Sequence, residues 1–306
     1  MSAVEQPEPG LAEILEEVRR IELQSRRLVT DVMAGGYVSV FRGAGIEFDT
    51  VREYVEGDAQ RSVDWNVTAR MGRPYVRTYV DERELTVLFA LDLSASMGGG
   101  FGLWSARQTA ARVCACLAFS AVGNGDKVGL VAFSEDVDAY VPPRKGPGHT
   151  LRIIRDSLAL PAASVRTEIA PALEFLSRAV RKRSIVFLVS DFLTGGWERA
   201  LSLCARRHDV IAVRLLTPEL EPRGGSLVRV RDPESGRTQV LDARSRRARA
   251  AYEHRIAAWR AGTEDALRRA NVDLMDVPVP RERGKDLVAG PILRFFRMRQ
   301  QRGAKR

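Results

Sequence analysis

Five oxygen-bearing side chains stand where chemistry could gather. Asp92, Ser94 and Ser96 fall in the string Asp92-Leu93-Ser94-Ala95-Ser96, Thr167 just ahead of a helical stretch, and Asp191 just after an apolar one. Two carboxylates and three hydroxyls, with no histidine or cysteine among them, form an all-oxygen set. Such sets suit hard cations that keep some of their waters, so Mg2+ or Mn2+ is the expected ion, and zinc and copper are disfavoured. Two formal negative charges leave a divalent ion electrophilic, ready to accept an incoming carboxylate at an open position. A site of this kind binds without a catalytic base. The string alone is a weak signal, since DxSxS arises by chance in roughly one chain of this length in ten. Ser96 and Thr167 would also serve as plain helix N-caps.

The position of these residues between elements carries more weight. From Leu85 onward an apolar strand followed by an amphipathic helix recurs, with strands expected at 86–91, 128–133, 185–190, 210–216 and 272–277. Helices are expected near 103–122, 149–159, 168–181, 197–207, 243–269 and 291–302. Short apolar strands alternating with helices imply βαβ units and a mostly parallel sheet covered on both faces, an α/β fold. Ligands in such folds bind beyond the carboxyl ends of strands, where strand order reverses. Asp92 ends the first of these strands and Asp191 follows the 185–190 strand; neighbouring strand ends would bring the five side chains together. Residues 137–141 read as an edge hairpin with the preceding strand. Residues 229–241, with Asp232-Pro233 and Ser235-Gly236 as turn signals, read as an inserted hairpin.

Upstream, Leu11, Ile14, Leu15, Val18, Ile21, Leu28 and Val32 recur at helical spacing, and Gly35-Gly36 ends that stretch. Four regions follow: an N-terminal amphipathic helix over 1–36, a small β-rich region over 37–84, an α/β domain over 85–280 with an inserted hairpin near 226–242, and a basic helix and tail over 281–306.

The small region holds a second motif: Phe48, Arg52, Tyr54, Gly57, Asp58, Arg61, Asp64, Trp65 and Arg70. It resembles the signature of the bacterial Domain of Unknown Function 58 family and lies just before the Asp92 string, as in that family. The Asp92 string with Thr167 and Asp191 resembles the metal-ion-dependent adhesion site (MIDAS) of von Willebrand factor A domains. The resemblance spans about 40–240 and implies a Rossmann-like three-layer α/β/α sandwich with a small β-rich elaboration. It further implies metal binding at Asp92, Ser94, Ser96, Thr167 and Asp191, and capture of a protein partner's Asp or Glu. An adaptor or co-chaperone role beside a MoxR-type AAA+ ATPase is also implied. Some relatives carry N-terminal membrane helices, and this chain shows no such stretch. The signature residues could form a partner face, or an ion-pair lattice that holds the small region in place.

Composition bounds the alternatives. The chain has 306 residues, 45% of them hydrophobic and 28% charged, which excludes collagen-like and wholly disordered readings. Cys114, Cys116 and Cys204 lack metal-ligand or redox spacing and read as buried small hydrophobes of a reduced, cytoplasmic protein. The opening residues MSAVEQPEPG are unlike a signal peptide, and no stretch reaches the roughly 18 apolar residues of a membrane span. The net charge of +9 invites a nucleic-acid or anionic-surface reading. It is uneven, with −5 over residues 1–90 and +7 over residues 281–306, where a docked helix with a solvated arginine face is expected. A phosphoester hydrolase with Asp92 as nucleophile would need an acid two residues on, where Ser94 stands, so no enzyme is expected. The run Gly98-Gly99-Gly100-Phe101-Gly102 lacks the following Gly-Lys-Ser/Thr of a phosphate loop. His208, after Arg206-Arg207, is expected to favour a helix C-terminus as a cation.

Overall fold

The run Val87-Leu88-Phe89-Ala90-Leu91 offers no polar side chain to solvent on either face, which suits a strand covered on both sides. The computed structural model describes residues 16, 18–23, 47–55, 58, 63–80, 84–99, 102–221, 227–282 and 287–303, and all five residues of that run are fully buried in it. The chain divides into two compact units, residues 38–84 and residues 1–37 with 85–306.

In the smaller unit, β1 (Glu47–Glu53) and β2 (Tyr75–Val80) pair antiparallel around helix α1 (Trp65–Met71). That helix departs from the expected run of β-prone pieces. Asp64 starts it by accepting from the Asn66 and Val67 N–H groups, and Gly72 ends it in the left-handed region at φ 68°. Among the signature residues, Arg52 makes a forked pair with Asp58 at 2.7 and 2.8 Å, which holds the Asp58 carboxyl below its ordinary range. The Tyr54 N–H donates to Pro74 O, and Arg70 lies in the last turn of α1. Phe48 lies in β1 opposite Tyr79. Within the unit Arg52 and Trp65 are exposed and Asp64 is buried. Gly57 and Arg61 lie outside the described residues.

The larger unit runs β3 (Thr86–Asp92), α2 (Ala95–Gly98), α3 (Ala106–Gly123), β4 (Lys127–Phe133), β5 (Val137–Arg144) and α4 (Pro147–Ala159). Then come α5 (Ile169–Ala179), β6 (Ile185–Ser190), α6 (Glu198–Arg207), β7 (Asp209–Leu216) and the hairpin β8 (Leu227–Arg231) and β9 (Thr238–Asp242). Helix α7 (Arg246–Arg269), β10 (Asp273–Pro278) and α8 (Ala289–Gly303) complete it. Six strands form one sheet in the order β10-β7-β6-β3-β4-β5, parallel except for β5. Helices α5, α6 and α7 cover one face, and α3, α4 and α8 the other. The chain leaves β3 first toward β4 and later returns on its other side as β6. The order reverses there, and Phe89 stacks on Phe187 at 5.7 Å across the β3–β6 pair.

Helix α3 is buried nearly all round, which its alanines and cysteines allow; all three cysteines of the chain are free and buried. Burial pushes the Cys116 thiol up to about 12 and the Cys204 thiol up to about 11. Of the expected N-terminal helix, residues 18–23 are described; Val18 and Ile21 pack on Ala115, Phe119 and Ile154. Its remaining positions lie largely outside the described residues. His208 does follow the last turn of α6, but as a buried ring. Its pKa is lowered by burial, then by Arg207, so the expected cation is corrected to a neutral acceptor of the Ser184 N–H.

Helix α8 docks through Ile292, Phe295 and Phe296. Its arginine face is solvated at Arg294, Arg297 and Arg302, while half-buried Arg299 pairs with Asp209 and Asp273, and Arg302 also reaches Asp273. Replacing fully buried Phe296 by alanine is expected to cost about 3–5 kcal/mol in urea unfolding, whereas Leu227→Ala, at an exposed position, should change stability by less than about 0.5 kcal/mol. Equal effects would contradict the docking of α8.

Candidate metal centre

Asp92 is the last residue of β3, and parallel neighbours on both sides leave it no solvent exposure. Its Oδ1 accepts the Ser94 N–H at 2.9 Å, which turns the chain into the short helix α2. Its Oδ2 accepts the Ser190 hydroxyl at 2.7 Å across the β3–β6 pair. Ser94 and Ser96 hydroxyls lie 3.1 Å apart, and the Ser96 hydroxyl also bonds Asp191.

Asp191 follows β6 and is also buried. The next residue, Phe192, adopts φ 57°, a left-handed conformation that costs a non-glycine residue roughly 1–2 kcal/mol. That turn aims the Leu193 N–H back at Asp191 Oδ1, 3.0 Å away. Neighbours hold the strained residue: its N–H reaches Ser190 Oγ, its carbonyl accepts from Trp259 Nε1 at 2.8 Å, and its ring meets Trp197 edge-on. Trp259 is fixed in turn beneath Arg214, a fully buried side chain of β7 that pairs with Asp276 and Glu264.

Thr167 lies just before α5 at the same end of the sheet. Its loop is tied in by the Ala95 N–H to Val165 O and by the Glu168 N–H to Ser134 O. The Thr167 hydroxyl donates to none of the other four; it reaches Glu234 Oε1, 2.6 Å away on the β8–β9 hairpin. Asp92, Ser94, Ser96 and Asp191 thus form one hydrogen-bonded group, and Thr167 sits beside it through Glu234 and its own loop. Ser190 and Glu234 were missed from sequence. Ser190 stood beside Asp191 as a signal, whereas nothing in the pattern says where the tip of an inserted hairpin will lie.

Two buried carboxylates side by side are electrostatically unfavourable. Burial, and next the charge of Asp191, push Asp92 up to about 7, and burial pushes Asp191 up as well. Among the described residues neither carboxylate has an arginine or lysine partner. The donor set therefore fits a cation, and its all-oxygen chemistry fits a hard one. Among the described residues no three His, Cys, Asp or Glu side chains group to hold a metal, so an ion here would draw on hydroxyls and water.

The family described as "Protein of unknown function DUF58" matches residues 50–262. An uncharacterized protein of Mycobacterium tuberculosis is 33% identical over 286 residues, covering 92% of this chain and 89% of its own. The chain belongs to the DUF58 family. Among solved structures, BatB from Bacteroides thetaiotaomicron is 18% identical with a TM-score of 0.45, covering 71% of this chain and 99% of its own. The SpRpn10 VWA domain is 12% identical with a TM-score of 0.38, covering 69% of this chain and 94% of its own. Proximal thread matrix protein 1 of the mussel byssus, solved with a zinc-occupied MIDAS motif, is 21% identical with a TM-score of 0.34, covering 44% of this chain and 38% of its own. These geometric likenesses are remote; the strand order with helices on both faces makes the larger unit of this DUF58 protein a three-layer α/β/α sandwich.

The raised Asp92 value sets a pH dependence. Between its ordinary value of 3.8 and about 7, the folded DUF58 protein keeps a proton that the unfolded chain has released. Stability is therefore greatest at the acidic side of that window and falls as pH rises through 7. In chelator, the unfolding midpoint should drop between about pH 5 and about pH 8, and Asp92→Asn should give a shallower slope and a higher midpoint than wild type at about pH 8. A flat wild-type profile would contradict the burial argument.

Proposed function

We propose that this DUF58 protein is a metal-dependent protein-interaction module. Asp92, Ser94, Ser96, Thr167 and Asp191 would hold Mg2+ or Mn2+, and a partner protein would offer an Asp or Glu. The observation that carries the reading is the pair of buried carboxylates at adjacent strand ends, hydrogen-bonded to serines and lacking any cationic partner among the described residues. A bound divalent ion would supply the missing positive charge and a position open to an oxygen donor. The protein's own part is to hold the oxygens in place. Ser190 orients Asp92, the left-handed Phe192 turn orients Asp191, and Trp259 locks that turn.

The resemblance stated from sequence extends the proposal to an adaptor or co-chaperone working in the cytoplasm with a MoxR-type AAA+ ATPase. Among the described residues no helix is long and apolar enough to cross a membrane.

Calorimetric titration with Mn2+ is expected to show one site per chain, weakened by more than about 100-fold in Asp92→Ala. The stabilisation that Mn2+ confers should be larger at about pH 8 than at about pH 5, because protons compete for the same oxygens. Partner capture from lysate should be lost in chelator and in Asp92→Ala alike. Capture that persists unchanged in chelator would sink the proposal.

A further inference from the structure

The β8–β9 hairpin exposes Leu227 and Val240 and half-buries Val228, Val230 and Leu241, while its tip is open to solvent. Of residues 231–240, Glu234 alone is not exposed. Its place at the tip is built by its neighbours. The Asp232 carboxylate accepts the Glu234 N–H at 3.0 Å and the Ser235 hydroxyl. Asp232 N–H to Arg237 O and Gly236 N–H to Asp232 O close the turn, which needs Gly236 at φ 69°. The chain thereby aims one carboxylate away from water and toward the metal centre. There it takes the Thr167 hydroxyl proton at 2.6 Å, a short charge-assisted bond, and lies close enough to Asp191 to feel its charge.

Asp92, Asp191 and Glu234 do not group around one point here, but Glu234 is near enough to Asp191 for their charges to repel, and a cation at the centre would draw it in. The Thr167 hydroxyl, having donated its proton to Glu234, keeps its lone pairs for such a cation. The rest of the tip, residues 231–240, is exposed, so burial adds little to hold Glu234 in this position. We propose that Glu234 is a built-in carboxylate of the centre, covering the position that a partner's Asp or Glu would take, so that a partner binds by displacing it. This rests on the metal-binding reading and names the residue that sets how readily the centre accepts a partner.

The two readings separate in one experiment on the full chain: Mn2+ titration followed by water-proton relaxation, with acetate as the carboxylate probe. The chains are wild type, Glu234→Gln, Glu234→Ala and Asp92→Asn, each checked for an intact unfolding transition. Removing the Glu234 charge is expected to weaken Mn2+ binding by about tenfold. The relaxation enhancement per bound ion should nevertheless rise, as water enters the uncovered position. Acetate should reverse that rise at concentrations about tenfold below those acting on wild type, as expected when a competing internal ligand is gone. If Glu234 only orients Thr167, both variants will bind Mn2+ more weakly with unchanged relaxation per ion and unchanged acetate sensitivity. That result overturns the proposal and leaves the metal reading standing. A wild type that binds no Mn2+, or an Asp92→Asn variant that binds it equally well, overturns the metal reading and this proposal with it.

Discussion

Two carboxylates buried side by side at the ends of adjacent parallel strands impose the governing constraint on this molecule. Asp92 has no solvent exposure, Asp191 almost none; burial makes both harder to ionise, and the charge of Asp191 adds to this at Asp92. Carboxylates in such a setting must be hydrogen-bonded, neutral or met by a cation. The fold supplies the hydrogen bonds in full. Ser190 and the Ser94 N–H serve Asp92, while Ser96 and the Leu193 N–H serve Asp191. It supplies no cationic side chain among the described residues. That imbalance gives the strand ends their chemical character.

The surrounding architecture can be understood as support for this point. Asp191 needs the turn after β6, which forces Phe192 into a left-handed conformation. That strain is held by Trp259 from α7, and Trp259 is positioned by the buried Arg214 of β7 with its partners on α7 and β10. A chain of packed and hydrogen-bonded groups thus runs from the sheet edge to the candidate centre. The cost of burying Arg214 is offset by its forked bonds to Asp276, whose carboxylate stays partly solvated.

The hairpin is a different kind of element. Its strands are short and antiparallel, with Val228, Val230 and Leu241 half-buried, and at its otherwise exposed tip the inward feature is the Glu234 carboxylate on the Thr167 hydroxyl. The core elements around Asp92 and Asp191 are rigid because they are buried on both faces. An exposed tip whose inward contact is one polar bond can exchange that bond for another of the same chemistry at little cost. Rigid oxygens on the sheet and an exchangeable oxygen on the hairpin together give the site its asymmetry.

Local pattern was enough to define the sheet and its helices. Short apolar runs such as Val87 to Leu91 and Ile185 to Val189 read as strands covered on both sides, and amphipathic stretches such as 169–179 read as helices between them. The residue types in Asp92-x-Ser94-x-Ser96, Thr167 and Asp191 likewise carried their chemistry openly. Short-range signals missed where caps and contacts decide. Helix α1 depends on the Asp64 and Gly72 caps rather than on periodicity, and His208 becomes neutral only because the fold buries it. The sequence by itself determined which residues could gather as an oxygen-rich site, because strand ends and donor types are local properties. Only the tertiary structure decided that β6 returns beside β3, bringing Ser190 onto Asp92, and that a hairpin tip 67 residues beyond Thr167 places Glu234 against it. Contacts between distant segments depend on how whole elements pack, and no short window of sequence contains that information.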